Sequence, residues 1–218
     1  MSYATVRDEL AKAAADAGRE ETDVTLIGVS KKHPIEAIRE EYDQGHRSIG
    51  ENRAQELARK VAELPEDIRW HMVGPLQRNK VRLVRDVVTL LHSMDGPKLA
   101  RAWARPGLPS PPALLQVNIG SEAQKMGVEP AEAVASFDAV QGIGVELVGL
   151  MAIPPNVAEP DRSREYFRQL REIRDELAAN GRPGLELSMG MSNDFGIAVE
   201  EGSTMIRVGR AIFGPRLS

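Results

Sequence analysis

The sequence predicts an α/β fold, a single TIM-type (β/α)8 barrel formed by residues 1–218 as one domain. Three observations carry that expectation. Short apolar strand segments exchange steadily with amphipathic helical segments, and eight strands can be counted. The first strand reads as buried on both faces, as parallel strands are. Polar residues and glycines gather just after the strands, where such barrels carry their chemistry.

A first helix near 4–17 sets Val6, Leu10, Ala13 and Ala17 at helical spacing. In the strand at 24–29, Thr25, Ile27 and Val29 alternate on one side, with small or apolar residues opposite. Pro34 suits the start of a helix near 34–44, and Gly45 its end. The strand at 46–49 leads to a helix near 51–63, and the strand at 69–73 to one near 76–84. The strand at 87–91 precedes a helix near 95–104, and the strand at 113–118 one near 129–138, opened by Pro130. The strand at 145–149 precedes the clearest helix, 161–179, whose Tyr166, Leu170, Ile173 and Leu177 form one stripe ahead of Gly181. Strands at 184–187 and 205–208 flank a helix near 193–200.

A doubly wound open sheet is the main rival to the barrel. It lacks its dinucleotide fingerprint, because Gly142-Ile143-Gly144 precedes a strand instead of joining a strand to a helix. The proline-rich run from Pro106 to Pro112 is too short to divide domains and reads as a stiff loop.

Composition narrows the function classes. With 28 basic and 32 acidic residues the net charge is −4, and no dense basic block supports nucleic-acid binding. The absence of cysteine excludes disulfides, thiolate catalysis and sulfur-ligated metal. The opening residues carry acids, and no stretch reaches 18 apolar residues, so no signal peptide or membrane partner is expected and the location should be cytoplasmic.

Lys31 stands where the first strand leaves the core. An amine held at such a mouth sheds its proton more easily than one in water and can attack a carbonyl. The other exits give Gly50-Glu51-Asn52-Arg53, His71-Met72-Val73-Gly74, His92-Ser93-Met94-Asp95, Asn118, Gly149-Leu150-Met151, Ser188-Met189-Gly190 and Arg207-Val208-Gly209-Arg210. Each has a plain alternative: Asn52 as a helix cap, Asn118 as a turn closer, His71 as a satisfied histidine beneath the mouth. Together they describe a polar mouth over an apolar barrel.

Gly202-Ser203-Thr204 and Arg207-Val208-Gly209 bracket the eighth strand and suggest a phosphate cradle of hydroxyls and glycine amides. A carbonyl-reactive lysine with a phosphate cradle points to pyridoxal 5'-phosphate (PLP), held as an internal aldimine. Metal chemistry is disfavoured, since His33, His46, His71 and His92 fit no metal-binding helix motif and Lys31 and Arg207 make the mouth electropositive. A Gly-x-Ser-x-Gly nucleophile elbow is absent.

At these residues the chain resembles the pyridoxal phosphate homeostasis protein family. The resemblance rests on Gly28–Lys31, Ile49–Arg53, Trp70–Lys80, His92–Asp95, Leu115–Ile119 and Gly149–Met151, and continues through Leu187–Asp194, Gly202–Thr204, Arg207–Gly209 and Ile212–Gly214. It implies an alanine-racemase-like barrel without that enzyme's second, β-rich domain. It implies that Lys31 forms the aldimine, that Ser188, Ser203, Thr204 and the Val208-Gly209 backbone hold the phosphate, and that Asn52, His71 and Met72 line the pocket. Met189 is placed under the ligand or against the core, and Arg207 beside either the pyridine nitrogen or the phosphate. The family usually has threonine and lysine after its aldimine lysine, whereas this chain has Lys32 and His33.

The resemblance further implies a non-enzymatic protein that buffers or delivers PLP, with PLP-dependent apo-enzymes as recipients and the protein itself a monomer. The alternative is a small PLP enzyme such as an amino-acid racemase. A two-base racemase needs a proton-transfer group opposite the lysine, and Tyr3, Tyr42 and Tyr166 fall at the terminus or on helices. His71 is the first suspect for a single-base enzyme. Lys80 and Lys125 are candidates for a second phosphate-bearing ligand or for cofactor transfer.

Overall fold

The computed structural model describes residues 2–105, 107–122, 126–155 and 159–215. Eight parallel strands close into a barrel in chain order: β1 Thr25–Val29, β2 Ser48–Glu51, β3 Arg69–Met72, β4 Leu90–Met94, β5 Ala113–Val117, β6 Leu147–Ala152, β7 Glu186–Ser188 and β8 Met205–Val208. Closure falls between β8 and β1, where Ile27 pairs with Arg207 and Gly28 with Val208.

The helix α1 (Tyr3–Asp16) precedes β1, with the Ser2 hydroxyl accepting from the Thr5 amide as its cap. After the successive strands come α2 (Ile35–Asp43), α3 (Ala54–Val61), α4 (Val81–Val84), α5 (Pro97–Trp103), α6 (Ala133–Gln141), α7 (Ser163–Ala179), α8 (Phe195–Glu200) and α9 (Arg210–Phe213). Leu170, Ile173 and Leu177 of the stripe expected on α7 are buried against the barrel, with Phe167 completing it in place of Tyr166, which is only half-buried. On α1, Val6, Leu10 and Ala14 pack on Val24, Leu26, Ile206 and Val208, covering the seam where the barrel closes.

Four strands, β2, β4, β6 and β7, begin two or three residues further along the chain than the pattern suggested. β4 begins at Leu90 and runs through His92 and Ser93, which were expected in an exit loop; β6 runs on through Met151 and Ala152. In both, apolar residues just ahead of the strand (Val87 and Val88, Val145) resemble the strand itself, so composition does not mark where it begins.

Side chains alternate across each strand. Leu90 and His92 share one face of β4, and Met205 and Arg207 one face of β8. Leu90 belongs to a small apolar cluster with Leu114 and Met151, against which Met205 packs. The interior is therefore apolar toward the N-terminal ends of the strands and polar toward the mouth. Gly149 permits the β6–β7 approach, since a β-carbon there would overlap the Glu186 carbonyl. Gly74 does the same for the β3 exit, which lies against the Asn52 backbone.

Candidate functional site

A cavity of about 500 Å³ opens at the C-terminal ends of the strands, a volume suited to a small cofactor. Its wall is built from the β1 exit (Val29, Lys31, His33), Asn52, Val73, the β6 exit (Ile153 to Pro155), the β7 exit (Met191 to Asp194) and Arg207, Gly209 and Arg210. A broader groove of about 1970 Å³ runs beside it over the exits of β2 to β5. Lys31 and Asn52 line both hollows, whereas Lys32 lines only the groove.

The local fold explains the placement of Lys31. Ser30 to His33 form a turn closed by the His33 amide donating to the Ser30 carbonyl at 3.0 Å. Lys31 and Lys32 are its two central residues, and Lys32 has φ +64°, a left-handed conformation that costs a side-chain-bearing residue about 1 kcal/mol. His33 then turns back to stack on Phe213 with ring centroids 5.3 Å apart.

Beneath the cavity a hydrogen-bond chain crosses the barrel interior. Arg207 donates through Nη1 to Ser188 Oγ at 2.5 Å and through Nη2 to the Ala152 carbonyl at 2.9 Å. Ser188 Oγ lies 2.8 Å from His92 Nδ1, and His92 Nε2 lies 3.0 Å from His71 Nδ1. Arginine can only donate, so it occupies a lone pair on Ser188. The one serine proton then has His92 Nδ1 as its acceptor. That assigns the His92 proton to Nε2, where it is given to His71 Nδ1, and leaves His71 protonated on Nε2.

Burial keeps both imidazoles neutral. His71 is pushed down to about 3 and His92 well below its ordinary value, with nearby positive charge acting in the same direction. Desolvation also lowers Arg207 to about 10, partly opposed by the charge of Asp194. Asp194 is raised by burial while its Oδ1 accepts from the Met191 amide at 2.7 Å.

The structure brings Lys31, Asn52, Arg207 and Gly209 together at the cavity. His71 and Ser188 sit lower, inside the barrel, and reach it only through the hydrogen-bond chain. Met72, Ser203 and Thr204, expected at the cofactor, lie away from the cavity. Met72 lies one residue from His71 on β3, so its side chain faces the helix layer and is wholly buried in the main core. Met189 is likewise core, and Met191 lines the cavity in its stead.

Ser203 and Thr204 precede β8, so the four residues of that strand, about 13 Å of chain, separate them from Gly209. The Ser203 hydroxyl is spent on the Leu187, Met189 and Met205 carbonyls, and Thr204 pairs through backbone and side chain with Leu187. The Val208 side chain is buried against α1, and the part expected of that residue is its backbone.

The sequence reading did not single out Arg210, Ser192, Asn193, Asp194 or His33 as site residues, although all line the cavity. Their signal was position after a strand, the same signal that pointed to Lys31. Lys125 lies outside the described residues. Among the described residues no cluster of His, Asp and Glu could hold a metal ion, and no helix is long and apolar enough to cross a membrane.

Residues 4–216 match the model of the alanine racemase N-terminal domain family, so the fold belongs to that class of barrel. The pyridoxal phosphate homeostasis protein of Aquifex aeolicus is 42% identical, over 97% of this chain and 95% of its own length. That of Pseudomonas aeruginosa is 41% identical, over 99% and 94%. The structure of PipY from Synechococcus elongatus with PLP bound superposes with a TM-score of 0.76 at 37% identity, covering 94% of this chain and all of that one. The chain belongs to the pyridoxal phosphate homeostasis protein family.

Proposed function

We propose that this protein binds PLP in the cavity at the mouth of the barrel, covalently through Lys31, and buffers or delivers it without turning over a substrate. The observation that carries the reading is one cavity lined by a primary amine, a buried guanidinium and the strand-to-helix junction at Gly209 and Arg210. PLP-bound PipY and the relatives named for PLP homeostasis support it.

When bound, PLP supplies an aldehyde with which a primary amine condenses, water leaving as the C=N bond forms. The chain's residues do the rest. Gly209 and Arg210 at the β8 exit, with Ser192 at the neighbouring β7 exit, are suited to the phosphate. Arg207 lies deeper and is tied to Ser188 and Ala152, which suits it to the ring nitrogen. A cation there disfavours protonation of that nitrogen, because adjacent positive charges repel. The ring is then a poor electron sink, which fits a carrier better than a catalyst. No tyrosine lines the cavity among the described residues, and His71, the expected single base, is withdrawn beneath it.

Delivery to PLP-dependent apo-enzymes in the cytoplasm follows from the same reading. A monomer is consistent with Val87, Leu108 and Met126 being the exposed large apolar residues among the described residues.

The test is absorption of the protein with added PLP, before and after borohydride, beside Lys31→Ala. A borohydride-reducible chromophore mapped to Lys31 is expected; no chromophore in folded wild type overturns the reading. Racemisation of amino acids by the loaded protein would overturn the carrier assignment and leave binding intact.

A further inference from the structure

The turn that carries Lys31 is fastened from behind by a buried charge cluster. Lys60 on α3 is wholly buried, and its ammonium donates to three oxygens: the Ser30 carbonyl at 2.8 Å, Glu51 Oε1 at 2.5 Å and Glu56 Oε1 at 3.0 Å. Ser30 Oγ also donates to Glu51 Oε1, at 2.6 Å. On the far side of Lys31, the Lys32 amide donates to Glu56 Oε1 at 2.7 Å. Both neighbours of Lys31 are therefore tied to one cluster, through a backbone carbonyl on one side and a backbone amide on the other.

The ammonium has as many acceptors as it has protons, which makes the cluster a saturated clamp. Its position matters because two lysines stand side by side in the turn. Lys31 reaches the cavity and Lys32 does not, while Lys32 occupies the left-handed position that an unrestrained chain would leave.

We infer that Lys60, with Glu51 and Glu56, is a positioning residue that selects Lys31 over Lys32 as the amine presented to the cavity. This rests on the proposed PLP site, yet its first consequence needs no cofactor. In the protein without PLP, Lys60→Met leaves the Ser30 carbonyl with the His33 amide alone and unties Glu56, the acceptor of the Lys32 amide, from the cluster. Amide hydrogen exchange at Lys32 and His33 should then rise by about tenfold, with the barrel strands unchanged. With PLP and borohydride, peptide mapping should find label moved from Lys31 to Lys32, or the Lys31 label reduced by about threefold or more.

Lys60→Met leaves Glu51 as an uncompensated buried carboxylate and is at risk of not folding. The double variant Glu51→Gln/Lys60→Met removes both charges and is the companion measurement, and Glu56→Gln weakens the Lys32 amide contact and one of the three Lys60 contacts while leaving Glu51 paired. Unchanged exchange in the turn of folded variants overturns the inference whatever the cofactor does. Faster exchange with Lys31 still labelled as in wild type also overturns it, because the clamp then holds the turn without choosing the amine. Faster exchange in variants while wild type forms no lysine adduct supports the clamp and removes the PLP reading instead.

Discussion

The Arg207 guanidinium donates to the Ser188 hydroxyl across 2.5 Å, joining β8 to β7 at the floor of the cavity. That hydroxyl simultaneously serves His92, so one oxygen settles the partners of an arginine and an imidazole that are both shut off from water. A buried polar group stripped of its partner costs more than the net value of the bond. Ser188→Ala should therefore destabilise the fold by about 1–3 kcal/mol. Urea unfolding at neutral pH checks this, and a midpoint equal to wild type would show that the chain carries no stability.

His71 makes stability depend on pH. Its folded value, about 3, lies below its ordinary 6.5, so between those limits the unfolded chain binds a proton that the folded one does not. Stability from this group is present above pH 6.5 and lost as pH falls toward 3. His92 acts in the same direction, whereas burial raises Glu41 to about 7 and stability from that group is lost as pH rises from 4.5. Comparison with a variant cancels the common part. The stability gap between wild type and His71→Gln should narrow by about 1 kcal/mol per pH unit between pH 6.5 and 4. A gap independent of pH would mean that His71 is protonated in the folded protein.

Gly149→Ala should damage the scaffold away from the cavity. The added carbon meets the Glu186 backbone, which has no rotamer by which to move aside. The β6–β7 pairing must open, at a cost of about 1–3 kcal/mol or more. Thermal unfolding measures the effect, and a melting temperature equal to wild type would refute the close approach.

Asp194→Asn removes a negative charge from the cavity wall and keeps an oxygen for the Met191 amide. PLP, which carries a phosphate, should bind about threefold more tightly, and pyridoxal, which does not, should be little changed. Calorimetry with the two ligands separates these outcomes. Equal effects on both would place the phosphate away from Asp194.

Much of the fold was legible because barrel strands and helices announce themselves by composition and period. Thr25, Ile27 and Val29 alternate inward as expected, and the α7 stripe faces the core. Where apolar residues stood on both sides of a strand's start, as at Val87, Val88, Leu90 and Leu91, only packing could decide. Val88 is buried, Val87 is exposed, and the strand begins afterwards.

The same distinction governs the site. Lys31, Asn52, Arg207 and Gly209 follow or close strands, so the barrel rule located them. Ser203 and Thr204 looked like a phosphate cradle by residue type but precede their strand, and parallel direction alone sends them to the other end. The Lys60 clamp joins residues 30, 51, 56 and 60 through buried atoms, which no spacing in the chain reveals.

Closure of the barrel between β1 and β8 has a consequence for biosynthesis. Lys31 is made early, whereas Arg207, Gly209 and Arg210, which complete its surroundings, lie near the end of the chain. A nascent polypeptide that has folded β1 to β7 exposes the lysine with no wall on its β8 side. The cavity is therefore complete only when the eighth strand has been made, and truncations upstream of residue 205 leave Lys31 without the part of the wall that Arg207, Gly209 and Arg210 supply.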